Sequence, residues 1–339
     1  MISRIARRTF GVWLATSALA GAFAIASAAP ALAQAKVTLK YLYPWSPSLQ
    51  SNEEMRKWMF EQIKKESNGE IEFRFFGPSV VPPFQQLQPV SSGAFDIHFT
   101  SPAYHGKDTG MGQLGDTVTP DPEMRRSSGF WDAVDKYYQT KHRLKVISNA
   151  GAPGYQILLR EAVGADGGLQ GRKIRSNPAY DSLIRHLGGS PITLPPAQIY
   201  TSLQKSLVDG SAWPLHSLQS NKFNEVVKFM ARPIFGRSTN LTVVNLAKWN
   251  SLTPVQQKAL LSMGRKLEDL AMQIPQKFAD ADEKFMLDQG AQLTNFAPKF
   301  AGNLANIYNE GIWERVITQH GDDAKAIVEI IKTKGIALK

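Results

Sequence analysis

The side chain with the clearest chemical promise is Arg175, in the run Lys173-Ile174-Arg175-Ser176-Asn177-Pro178. A guanidinium holds a carboxylate through two parallel hydrogen bonds, a geometry that an ammonium cannot copy. Arg175 follows a short strand signal and precedes a helix start at Pro178, the place where open αβ sheets bind ligands. Asn177, two residues on, has the chemistry either to donate to the same carboxylate or to cap that helix. The plain alternative for Arg175 is a structural salt bridge.

The other chemistry-bearing residues point away from catalysis. The chain has no cysteine, which rules out a thiolate nucleophile, a disulfide and a zinc-thiolate site. Its six histidines (His98, His105, His142, His186, His216, His320) include no pair at a metal-binding helical spacing. His98 and His105 flank a loop expected on the ligand side, so His98 is a candidate contact, with an ordinary hydrogen-bonded ring as the simpler reading. Asp121 and Glu123 are explained by a solvated loop. Gly110-Met111-Gly112-Gln113-Leu114-Gly115 matches GxGxxG, but a dinucleotide turn needs a strand before it and a helix after it. Pro102 and Gly106 precede it and Pro120 and Pro122 follow, so the motif reads as a flexible loop. These residues give no reason to expect an enzyme, a cofactor or a bound metal.

The elements that must position Arg175 show in the hydrophobic periodicity. Lys36–Tyr43, Ile71–Phe76 and Phe95–Thr100 read as strands, with helices between them through Met55–Ile63 and Gln85–Val90. Strand-helix repetition of this kind predicts a parallel αβ sheet. Lys145–Ser148 and Tyr155–Leu159 are further strands around Gly151-Ala152-Pro153-Gly154, read as a first crossing between lobes. Lys173–Arg175 opens a second lobe. A helix from Pro178 follows it, then one from Pro196 with Ile199, Leu203 and Leu207 inward. Leu241–Leu246 reads as a buried strand returning to the first lobe. Pro254–Gln289 keeps helical periodicity throughout; at ~1.5 Å per residue it reaches roughly 50 Å, enough to cross both lobes, with a kink at Pro275. Helices about Ala301–His320 and Asp322–Lys332 finish the chain.

At 339 residues the chain is too long for one ordinary core, and 43 % hydrophobic with 20 % charged residues gives no sign of disorder. Residues 1–33 read as a signal peptide: Arg4, Arg7 and Arg8, an apolar stretch Val12–Ala29, then Ala31-Leu32-Ala33 before Gln34. Arg7-Arg8-Thr9-Phe10 is also compatible with a twin-arginine signal. Without this segment the formal charge is 10 − 3 = +7, a moderate field that draws anions. Lys and Arg are dispersed, which argues against nucleic acid.

The segment Leu169 to Phe229, LQGRKIRSNPAYDSLIRHLGGSPITLPPAQIYTSLQKSLVDGSAWPLHSLQSNKFNEVVKF, resembles the DctP-type substrate-binding proteins of TRAP (tripartite ATP-independent periplasmic) transporters. The likeness rests on Leu169, Gly171, Lys173-Ile174-Arg175, Leu187-Gly188, Pro191, Tyr200, Leu203-Gln204, Asp209-Gly210, Pro214, Lys222-Phe223 and Glu225-Val226. It continues more weakly over Ser91–Asp96 and Trp249–Ala259. The resemblance implies a periplasmic binding protein-like α/β fold: two αβ lobes around a ligand cleft and a long lobe-spanning helix. The expected division is lobe I at 34–153 and 236–276, lobe II at 154–235 and 277–339. It further implies a monomeric periplasmic receptor that closes on a small organic carboxylate and hands it to a small and a large membrane subunit.

By the resemblance, Arg175 is the carboxylate-binding arginine. Three positions depart from the family pattern: Gln156 stands where a second arginine is common, Trp213 where an asparagine is, and Pro196 where a phenylalanine is. Losing a cation and gaining an indole favours an aromatic or 2-oxo/2-hydroxy monocarboxylate over a C4-dicarboxylate or sugar acid. Thr239-Asn240 lies where some relatives supply a metal ligand, so no metal is expected. Tyr104, Trp45 and Phe235 complete the expected contacts; Tyr43 and Phe76 are weaker candidates. A receptor for a different transporter or sensor is the rival reading.

Overall fold

The computed structural model describes residues 36–338; the expected signal peptide at 1–33 lies outside them. The first sheet collects the alternating and apolar runs of the N-terminal half. Strands β1 (Val37–Leu42), β2 (Ile71–Phe76) and β3 (Ile97–Thr100) are joined through helices, and β1 pairs in parallel with both others. Strands β4 (Leu144–Ala152) and β5 (Tyr155–Leu159) then belong to different sheets, separated by Pro153-Gly154.

The second sheet takes β6 (Lys173–Ser176), β7 (Ser190–Thr193), β8 (Gly210–Pro214), β9 (Phe229–Arg232) and, after β10 (Ser238–Asn245), β11 (Gln292–Asn295). β10 returns to the first sheet, antiparallel between β3 and β4. The strand orders are β2-β1-β3-β10-β4 and β11-β9-β5-β8-β6-β7. The fold is therefore a two-lobed α/β architecture. The two crossings run side by side: Tyr155 and Phe235 exchange both backbone hydrogen bonds at 2.9 Å, and Ser238 N donates to Pro153 O at 3.1 Å.

Pro254–Gln289 crosses between the lobes as two helices, Pro254–Leu270 and Gln273–Asp288. The first starts on a Thr253–Gln256 capping box with proline at its first position. The break falls at Ala271-Met272, four residues before Pro275, where the proline ring meets the carbonyl it would otherwise bond. The expected kink is a full interruption. Leu260, Met263 and Leu267 of the first helix are buried in the first-sheet core, each contributing about 1.5–3 kcal/mol. The helix lies so close to β4 that a Cβ at Gly264 would stand 2.0 Å from the Ile147 carbonyl oxygen. The second helix reaches the other lobe, where Asp282 accepts from Leu218 N and Gln219 N at 3.0 and 3.1 Å.

Several local expectations change. The GxGxxG segment is not a flexible loop: Met111–Thr117 is a buried 3₁₀ helix. Its glycines are there for packing, since a Cβ at Gly112 would meet the Tyr138 hydroxyl at 2.6 Å and one at Gly115 the Asn149 Oδ1 at 2.8 Å. Leu207 is 61 % exposed because its helix stops at Gln204 and the chain turns through Ser206 at φ 58°. The helix after Pro178 begins only at Asp181. The C-terminal helix Asp322–Thr333 follows Leu304–His320 directly. Ala324, Ile327 and Val328 pack into the core that holds Val134 and Tyr137, and Leu338 N donates to Thr117 O.

Candidate functional site

A small cavity of about 40 Å³ lies where the two sheets face each other. The first lobe supplies Trp45 after β1, Asn52 in the first helical turn, Ser101 and Tyr104 after β3, and Ser238-Thr239-Asn240 at the start of β10. The second supplies Tyr155, Arg175, Asn177, Tyr180, Trp213, Pro214 and His216. The cavity thus sits beyond the carboxyl ends of the parallel strands β1, β3 and β6, as open αβ sheets dictate.

Arg175 is 1 % exposed. Its Nε donates to Leu194 O at 3.0 Å and its Nη1 to Ala212 O at 3.1 Å, and the guanidinium stands 5.4 Å from the Trp213 ring centroid. Nη2 is buried without a hydrogen-bond partner. Such an atom costs about 1–3 kcal/mol, more when charged, until something accepts from it. Burial lowers the Arg175 pKa, yet a guanidinium keeps its charge throughout. No Asp or Glu lines the cavity among the described residues.

The rest of the lining is neutral. Tyr104 receives the Trp45 indole N–H at 3.1 Å and so has its own hydroxyl hydrogen left to donate. The Trp213 indole N–H is spent on His216 O at 3.1 Å, leaving its ring as an apolar wall. Burial pushes His216 down to about 4, so its ring is uncharged at neutral pH. Burial also raises the Tyr104 and Tyr180 hydroxyls, keeping both protonated. Asn177 Oδ1 accepts from Ala179 N at 2.8 Å, the local-turn alternative for this side chain. The arrangement can hold one anionic group against Arg175 and hydrogen-bond a small, flat remainder.

Of the residues singled out from sequence, Arg175, Trp213, Asn177, Tyr104 and Trp45 line this cavity, and Gln156, Phe235 and His98 do not. Gln156 alternates to the other face of β5, where its Oε1 accepts from Arg232 Nη1 at 3.0 Å. Phe235 packs on Tyr155, Tyr180 and Tyr308. His98 is buried in β3 between Leu42 O (3.0 Å) and His105 Nε2 (3.3 Å), and its pKa is pushed down to about 4 by burial. Tyr43 joins the first-sheet core, and Phe76 packs edge-on against Phe95. Sequence reasoning missed Asn52, Ser101, Tyr180 and Ser238. Only Tyr180 carries a signal, its closeness to Arg175 in the sequence.

A larger open groove of about 610 Å³ lies beside the helix Pro254–Leu270, lined by Arg126, Trp131, Lys145, Arg265 and Glu268 among others. Two of its cations are already paired, Arg126 with Glu268 and Lys145 with Asp135. The interlobe cavity, unlike this groove, draws on both sheets.

Two αβ lobes joined by paired crossings, with polar groups from both converging on a small cavity, define a bilobal solute-binding protein. The family described as bacterial extracellular solute-binding protein, family 7 (DctP) matches residues 126–314. The chain belongs to that family, the receptors of TRAP transporters, which work in the periplasm. It is 30 % identical over 168 residues to the 2,3-diketo-L-gulonate-binding periplasmic protein YiaO of Escherichia coli, covering 48 % of this chain and 50 % of that one. Among solved structures it resembles a TRAP periplasmic solute-binding protein from Desulfovibrio salexigens with bound orotic acid. The TM-score is 0.78 at 19 % identity, covering 88 % of this chain and 98 % of that one. It also resembles a marine-metagenome TRAP protein specific for aromatic acid ligands, in complex with metahydroxyphenylacetate. There the TM-score is 0.70 at 23 % identity, covering 88 % and 98 %. These are transport proteins rather than enzymes.

Proposed function

We propose that this chain captures a small monocarboxylate whose flat body carries hydrogen-bonding groups, and delivers it to the small and large TRAP membrane subunits. The observation that carries this is Arg175 Nη2, a buried donor without a partner in a cavity whose described lining has no acid. A carboxylate at Arg175 satisfies that donor and neutralises the cation. A second carboxylate would find no second cation, and an unpaired buried charge costs several kcal/mol. Trp213, Tyr155 and Tyr180 offer ring surface, while Asn52, Ser101, Thr239 and Asn240 offer neutral donors and acceptors to the body. The acids carried by the two structural relatives fit this description, orotate most fully.

In this reading the lobes are built on the two sheets, and the helix pair 254–288 follows their hinge. The open form closes when the ligand bridges Arg175 in one lobe to Trp45, Tyr104 and Asn240 in the other; contacts made only when closed shift the population. Micromolar affinity needs roughly −8 kcal/mol in all, within reach of one buried ion pair and an aromatic ring. The receptor acts as a monomer after the signal peptide is removed near Ala33/Gln34, without a metal.

The test is a thermal-shift screen of orotate, metahydroxyphenylacetate, 2-oxo acids, succinate and glucuronate, backed by calorimetry. The reading expects the largest shifts from flat monocarboxylates. A largest shift from succinate would favour the dicarboxylate alternative, and one from glucuronate the sugar-acid alternative; either would overturn the proposed class.

A further inference from the structure

Behind the cavity wall lies a buried carboxyl that ligand contact alone does not explain. Asp116, in the 3₁₀ helix Met111–Thr117, is 0 % exposed and has no salt-bridge partner within 4 Å among the described residues. Its Oδ2 accepts long hydrogen bonds from Tyr155 Oη at 3.4 Å and Tyr308 Oη at 3.3 Å, and Thr239 adds a further interaction. Tyr155 and Thr239 both line the cavity, one from each lobe's side of the crossing. Asp116 is therefore a single side chain removed from the cavity.

Groups on several packed elements act on this carboxyl. Arg125, on the helix Pro122–Ser127, is the nearest cation, but its donors go to Thr119 O, Asn149 and the Gly115 and Val118 carbonyls. The charges of Arg125 and the hydrogen bonds from Thr239, Tyr308 and Tyr155 favour the ionised form. Burial outweighs them and holds Asp116 at about 7. Arg315 on the helix Leu304–His320 and Tyr180 also feel its charge. The group therefore stands near its midpoint at neutral pH.

We propose that Asp116 is proton-linked to the binding site from behind its wall: a carboxylate seated at Arg175 draws a proton from solvent onto Asp116. The physical reason is that two negative charges within one low-dielectric region repel, with only the Tyr155 side chain between the cavity and Asp116. By linkage, proton uptake on binding means that affinity rises as pH falls. Protonated Asp116 also turns from acceptor to donor, which reorients the Tyr155 hydroxyl at the cavity wall.

The inference rests on the carboxylate reading, and the experiment separates the two. The acid giving the largest thermal shift in the screen is titrated calorimetrically at pH 7.5 in phosphate and in Tris, whose ionisation enthalpies differ. Uptake of a measurable fraction of a proton per ligand is expected in the wild type. It should vanish in Asp116→Asn, which still binds and whose affinity becomes flat from pH 6 to 8. The wild type should instead gain up to about tenfold per pH unit of acidification. If the acid binds with the same enthalpy in both buffers, the proton linkage is wrong while the carboxylate reading stands. If uptake survives Asp116→Asn but disappears in His216→Gln, the proton goes to the cavity histidine and the assignment is overturned. Should Asp116→Asn lower the melting temperature sharply, the pH dependence of wild-type affinity alone decides: a flat profile refutes the proposal.

Discussion

Replacing Arg175 by lysine keeps the charge and removes the fork, which makes it the sharpest test of how the site binds. The wild-type guanidinium spends Nε on Leu194 O and one Nη1 hydrogen on Ala212 O. Its remaining hydrogens, two on Nη2 and one on Nη1, are left for a ligand. A lysine ammonium has three hydrogens in all. If two replace the bonds to the carbonyls, one remains for the carboxylate. A carboxylate fork uses two of the three arginine hydrogens, so the loss is one charge-assisted hydrogen bond, about 1.5–3 kcal/mol, or roughly 10- to 150-fold in affinity. Arg175→Ala removes the charge as well and should take binding beyond detection. Calorimetry with the best acid of the screen reads both variants, and circular dichroism melting checks that they fold. An affinity for Arg175→Lys within threefold of wild type, or measurable binding by a folded Arg175→Ala, would refute the reasoning.

Gly106 of the first lobe faces Pro178 of the second so closely that a Cβ would lie 2.9 Å from Pro178 Cγ. Gly106→Val should wedge the closed state and weaken binding about tenfold or more with little change in the ligand-free melting temperature; unchanged affinity would show that closure does not use this contact. Gly264→Ala should destabilise by about 1–3 kcal/mol or more, because its methyl would overlap the Ile147 carbonyl in β4; urea melts that match wild type would contradict the packing. His216, held at about 4 when folded against 6.5 unfolded, takes up its proton more readily in the unfolded chain. Its contribution is therefore complete above pH 6.5 and shrinks as pH falls toward 4. Wild-type stability relative to His216→Gln should drop by about 2 kcal/mol between pH 7 and pH 5; parallel stability curves for the two proteins would rule this out.

Some of this was written in local pattern. Strand β2 falls at Ile71–Phe76 as the alternation required, and the first crossing falls at Pro153-Gly154 where glycine and proline interrupt two apolar runs. Arg175 was legible because a guanidinium at a strand end, inside a segment of recognisable family spacing, needs no distant information. Pro275 marked the interruption of the interlobe helix, since its missing N–H acts within four residues.

Gln156 shows the limit. Its family position pointed to the pocket, but the pleat turned it to the other face, where Arg232, 76 residues later, occupies its oxygen. His98 likewise depended on β3 bringing its ring against Leu42 and His105. Ser238 and Asn240 share a cavity with Arg175 only because β10 threads back between β3 and β4 and places remote segments on one wall.

The sequence by itself determined the elements, the two lobes in outline, the family, and Arg175 as the candidate for seating an acid, because periodicity and turn chemistry act over a few residues. Only the tertiary structure decided which side chains share the cavity, that the GxGxxG turn is packed rather than mobile, and that Asp116 stands behind Tyr155. Those outcomes depend on faces meeting across a hundred residues or more, where burial and pairing rather than local propensity set the energy.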